Sequence, residues 1–223
     1  MRLPFGALPN EEQRLLLAAA LGDGERARTA FEAWRARVVL DDVDGESHRL
    51  LPLLARNLVR LRVDDGGRLA GLYRRNFAAN ALAMRAAAEV IAALEADGIR
   101  TMVLKGGALA LLHYRDSGAR VRGDVDVLVE PGRARAASAV LARLGYAPIR
   151  ASDAFDAAHL GRVHSSGMRD GRGREIDLHW YAASEARRPG DDDRIWQGSI
   201  PLALDGVATR APCAAKSPCI SRG

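Results

Sequence analysis

Apolar and polar positions between residues 11 and 98 recur at helical spacing. Glu11 to Leu21 predicts a helix that stops at Gly22,. Glu25 to Leu40 predicts a second, with Phe31, Trp34 and Val38 on one face. Ser47 reads as the N-cap of a helix over His48–Leu61, and Pro52 lies close enough to its first turn to be tolerated,. A long alanine-rich pattern runs from Arg68 to Ala96 and ends at Asp97-Gly98, a helix-stop signal,. Residues 1–79 are therefore expected to form a helical region, and they carry no chemical motif.

At Ile99 the period changes. Thr101–Leu104 is a short β-branched apolar run, Lys105-Gly106-Gly107 interrupts it, and Ala108–Tyr114 resumes helical spacing. Val125–Val129 and Tyr146–Arg150 read as strands on either side of a helix over Arg133–Leu144,. Arg162–Arg169 and Arg174–Trp180 pair as a hairpin around Asp170-Gly171-Arg172-Gly173,. The expected fold is thus α/β (α+β), a mixed sheet with flanking helices over residues 80–206 behind the helical region. Residues 207–223 hold two prolines, many small residues and no apolar period, and are expected to be a disordered tail,.

Composition narrows the function classes. The formal charge is +5, but residues 207–223 supply Arg210, Lys216 and Arg222 with no acid. Aromatic residues are only 5%, which leaves few platforms for base stacking, so a nucleic-acid partner is not expected,. No uninterrupted run of eighteen apolar residues occurs and the N-terminus lacks a secretory pattern, so no membrane partner and a cytoplasmic location are expected,. Cys213 and Cys219 make neither a disulfide framework nor a zinc site,.

Three segments carry candidate chemistry. In Gly123-Asp124-Val125-Asp126-Val127, strand alternation places Asp124 and Asp126 on one face, about 7 Å apart,. Such a pair fits a divalent cation, although two solvated aspartates at a strand entrance have the same sequence. In Glu175-Ile176-Asp177-Leu178-His179, Asp177 sits in a β-pattern where an unpaired charge is costly, so it could complete a carboxylate cluster,. Oxygen ligands of this kind select Mg2+ or Mn2+. Gly106-Gly107 ahead of a helix permits close approach of a phosphate, or simply ends a strand. Lys105, Arg120 and Arg122 are nearby cations that could neutralise phosphate,. His164 and His179 would face each other across the hairpin with Asp177 beside them, a conceivable zinc pair, though such histidines more often just pack. Trp34, Trp180 and Trp196 read as core residues,.

Strand, Gly-Gly, helix, Asp-x-Asp strand and a later lone Asp together resemble the nucleotidyltransferase superfamily of DNA polymerase beta-like folds. The phrases His48–Leu54, Leu104–Gly107, Asp124–Val129, Leu144-Gly145-Tyr146 and Ile176–Trp180 are similar to an uncharacterised bacterial nucleotidyltransferase family, over about residues 15 to 210. The resemblance implies a magnesium-dependent transfer of a nucleoside monophosphate from a nucleoside triphosphate, such as ATP, to a hydroxyl acceptor on a small molecule or protein. Asp124, Asp126 and Asp177 would hold the metal and act in catalysis. Lys105, Gly106, Gly107 and Arg122 would hold the nucleotide. Beyond residue 210 the chain departs from the family pattern, which reads as a truncated or frame-shifted end. Apolar surface is then expected to lie open near Trp180 and Trp196, and the alternative is a catalytically impaired nucleotide-binding or interaction protein.

Overall fold

The structure, a computed structural model, describes residues 8–112, 116, 118–120, 124–185, 188 and 190–213. These residues fall into two compact units, one drawn from 1–80 and 116–122, the other from 81–115 and 123–223.

In the first unit, α1 (Glu11–Leu21) begins at a capping box, the Asn10 carboxamide accepting the Gln13 N–H at 2.8 Å while the Gln13 side chain takes that of Asn10 at 3.1 Å,. Next come α2 (Gly24–Arg35), α3 (Gly45–His48), α4 (Leu51–Leu61) and the start of α5 (Arg68–Ala96). Leu16, Trp34, Leu51, Leu54, Leu58 and Leu69 form the core. Two expectations shift here. The second helix ends at Arg35, and the helix expected over His48–Leu61 with Ser47 as its cap is two: α3, capped by Asp44, which accepts the N–H groups of Glu46 and Ser47, and α4, which follows Leu50 without a side-chain cap. Asp116 also belongs to this unit. Its carboxylate accepts from Tyr73 Oη at 2.7 Å and from the Gly118 N–H at 2.8 Å, and Arg56 Nε lies 3.0 Å away.

The second unit holds the rest of α5, then β1 (Met102–Val103), α6 (Lys105–Leu112), β2 (Val125–Leu128), α7 (Ala134–Arg143) and β3 (Tyr146–Pro148). It continues through α8 (Ala157–Arg162), β4 (Ser165–Asp170), β5 (Glu175–His179), α9 (Asp193–Gln197), β6 (Ile200–Leu204) and β7 (Val207–Ala211). Five strands make one mixed sheet in the order β1-β2-β5-β4-β3, in which β2 and β5 run parallel and the other pairs antiparallel. The class is the expected mixed α/β, with helices preceding the strands. Alternation sends Val103, Val125, Val127, Ile176 and Leu178 into the core with Val90, Ile91 and Leu94 of α5 and Leu141 of α7,. Met102, Leu104 and Leu128 pack separately, under Ile195 and Trp196.

Residues 207–211, read from the sequence as tail, are instead strand β7, paired antiparallel with β6. The turn between them places Asp205 and Gly206 at φ of 49° and 81°, as a tight hairpin requires,. Thr209 joins this hairpin to the chain before β1 through a hydroxyl contact of 2.8 Å with Thr101. Of the two residues expected beside open apolar surface, Trp180 is 1% exposed, stands edge-on to Phe155, and donates its Nε1–H to the Leu160 carbonyl at 3.0 Å, while Trp196 is half-buried. One further correction concerns α5, which holds an 18-residue window of mean hydropathy 1.4, enough by length and composition to cross a membrane. In the structure 44% of that window is buried in the protein.

Candidate metal centre

The parallel pairing of β2 with β5 sets Asp126 directly opposite Asp177 and Leu128 opposite His179. The period-two rule keeps Asp177 and His179 on one face of β5. As a result Asp126, Asp177 and His179 each present one ligand atom, all within 4.8 Å of one another. His179 Nε2 lies 3.0 Å from Asp126 Oδ1 and 2.9 Å from Asp177 Oδ2. Its Nδ1 lies 3.2 Å from the Tyr181 carbonyl oxygen, which can only accept, so Nδ1 carries a proton,. Lys105 Nζ completes the group, 2.7 Å from Asp126 Oδ1 and 3.4 Å from His179 Nε2. The Lys105 backbone reaches this position with φ at 45°, a left-handed conformation uncommon outside glycine,.

The electrostatics follow from crowding. Burial disfavours a charged His179, but hydrogen bonds to Asp126 and Asp177 outweigh it and push the imidazole up to about 9,. Burial would likewise raise Asp126, yet His179 and Lys105 hold it below the usual carboxylate range. Asp124 moves the other way, raised by burial and then by repulsion from Asp126. Without metal, then, an imidazolium and an ammonium neutralise the carboxylates. A divalent cation offers the same compensation: two carboxylate oxygens and a neutral imidazole nitrogen converging from two adjacent strands could hold one,.

Of the expected site residues, the structure brings together Asp126, Asp177 and Lys105. Asp124 immediately precedes β2, outside that tight group. It lines a cavity of about 380 Å³ together with Asp177, Arg150, Asp153 and His164, so both carboxylates open onto one space. Gly106 and Gly107 lie in the first turn of α6. A Cβ on Gly107 would stand 2.7 Å from Val103 Cγ1 and 3.4 Å from Val125 Cγ1, so packing against the sheet alone demands glycine there. Arg122 lies outside the described residues, and Arg120 belongs to the helical unit. The sequence pairs His179 with His164 and sets Asp177 beside them, but does not join His179 to Asp126. The two histidine rings do meet edge-on at 5.3 Å, but His179 bonds to the two aspartates. Its place two residues beyond Asp177, on the same strand face, was the signal.

A family model described as an uncharacterised nucleotidyltransferase matches residues 45–217. No curated protein and no solved structure matches the chain.

Proposed function

The chain belongs to an uncharacterised nucleotidyltransferase family, and from that premise we propose that it transfers a nucleoside monophosphate from a nucleoside triphosphate to a hydroxyl acceptor, with Mg2+ or Mn2+ held at Asp124, Asp126 and Asp177. One observation carries the reading: Asp126 and Asp177 are register partners on parallel strands and converge with His179. The bound metal would supply charge neutralisation for the triphosphate and for the attacking and leaving oxygens. The chain's own residues do the rest. His179 anchors Asp126 and Asp177, and Lys105 can leave Asp126 to meet phosphate once a cation takes its place. The first turn of α6 at Gly106-Gly107 offers backbone N–H groups to the triphosphate, and Arg122 is proposed to add a second cation. Asp177, facing the cavity it shares with Asp124, takes the acceptor proton,. The acceptor oxygen then bonds to the α-phosphorus, the bond to the bridging oxygen breaks, and pyrophosphate leaves. The supply of nucleoside triphosphates supports a cytoplasmic setting.

Calorimetric titration with each of the four ribonucleoside triphosphates, with and without Mg2+, tests the proposal. Metal-dependent binding that Asp126→Asn abolishes is expected; equal binding with and without metal would overturn it. The 2.7 Å contact of Lys105 with Asp126 favours a second reading, a nucleotide-binding or interaction protein without turnover. Metal-dependent binding without pyrophosphate release in the presence of broad acceptor mixtures would select it.

A further inference from the structure

Beyond β5 the chain turns, and one peptide unit there has both of its polar groups engaged. The carbonyl of Tyr181 accepts from His179 Nδ1 at 3.2 Å, while the N–H of the same peptide, on Ala182, donates to Asp192 Oδ2 at 2.9 Å. Asp192 is 5% exposed and stands at the N-cap position of α9, yet its side chain makes no capping bond to its own helix. Its other oxygen, Oδ1, is buried without a hydrogen-bond partner among the described residues. A buried carboxylate that forgoes the cap and leaves one oxygen unsatisfied is costly for a merely structural contact, which an asparagine would make more cheaply. Burial does push the Asp192 carboxyl up, and the nearness of His179 is among the influences that draw it back down.

We propose that Asp192 is a positioning residue for His179, acting through the Tyr181–Ala182 peptide. The carboxylate fixes and polarises that peptide, and its carbonyl then holds the Nδ1 proton and aims Nε2 at Asp126 and Asp177. Carboxylates and carbonyls behind a histidine commonly set ring orientation and ligand basicity in this way. The consequence for metal affinity rests on the nucleotidyltransferase reading; the mechanical link between Asp192 and His179 does not.

The test uses the full chain labelled with 15N-histidine, the His179 ring signals being assigned by their loss in His179→Gln. In metal-free protein, Asp192→Ala is expected to move the His179 Nδ1 proton resonance upfield and to leave the fold intact by circular dichroism. Mn2+ affinity, followed by electron paramagnetic resonance, is expected to fall about tenfold. Asp192→Asn keeps an acceptor oxygen and loses the charge, so it should shift both readouts in the same direction by less; it also serves if the alanine variant fails to fold. An unmoved His179 signal in folded Asp192→Asn protein would overturn the proposal. A wild-type chain that binds no Mn2+, with a His179 signal that still responds to Asp192, would uphold the link and overturn the metal reading instead.

Discussion

The two ends of the β4–β5 hairpin use the same residue types to opposite effect. At the turn, Asp170 accepts the N–H groups of Arg172 and Arg174, both at 2.9 Å, and Arg174 Nε at 2.6 Å. Arg174 also reaches Glu89 at 2.8 Å, and Arg169 pairs with Glu175. Every acid there meets a guanidinium, Asp170 and Glu89 through Arg174 and Glu175 through Arg169. At the open end, Asp126 and Asp177 share a single imidazole, Lys105 reaches Asp126, and Asp124 beside them is raised by burial and then by repulsion from Asp126. Acids bound to guanidinium groups mark scaffold; carboxylates crowded about one imidazole and one ammonium mark a site that awaits a further cation.

Neutralising one acid at each end breaks the comparison most sharply. Asp126→Asn or Asp177→Asn should weaken Mg2+-dependent nucleotide binding by more than about a hundredfold, beyond what an outer-shell change costs. Asp170→Ala should leave that binding unchanged while destabilising the chain by about 3 kcal/mol in urea denaturation, since it removes the buried acceptor of three hydrogen bonds at the turn,. Equal effects of the two changes on nucleotide binding would erase the distinction.

Gly107→Ala brings the first turn of α6 onto Val103 and should cost about 2 kcal/mol by the same measurement,. A smaller effect separates two acids that look equivalent in the sequence. Neighbouring carboxylates repel, but Asp126 is held low by His179 and Lys105,. Asp126→Asn should therefore destabilise metal-free protein by about 1.5 kcal/mol, whereas Asp124→Asn should leave its melting temperature unchanged or raise it. The smallest effect is acid sensitivity. Burial opposes the ionised forms of Asp170 and Asp116, yet hydrogen bonds, from Arg174 to the one and from Tyr73 to the other, hold both carboxyls below the usual value. A lowered folded-state value contributes stability above the unfolded one, and that contribution disappears as pH falls through the folded value. The urea midpoint should thus drop below about pH 4, less steeply in Asp170→Ala; a midpoint unchanged down to pH 2 would refute this.

Legibility in the sequence followed the range of the interaction. α1 and α5 were bounded to the residue, because caps and glycine stops are local signals. The Asp-x-Asp strand and the lone Asp177 were legible as alternation, while their register, Asp126 on Asp177, is a long-range fact that no local pattern encodes,. β7 carries a hairpin signal in Asp205-Gly206, but its five residues run straight into a proline-bearing segment without apolar period, which masks the strand,. The role of His179 was hidden for a different reason: a histidine on a strand is ambiguous until its neighbours across the sheet are known.

The Thr101–Thr209 hydroxyl bond joins residues 108 apart in sequence. During synthesis the early helices can form as they emerge, whereas β2 must wait for β5 and the chain ahead of β1 for β7,. The carboxylates of β2 and β5 are thus brought together late, and a nascent chain halted before β5 would carry Asp124 and Asp126 without the strand that makes them a site.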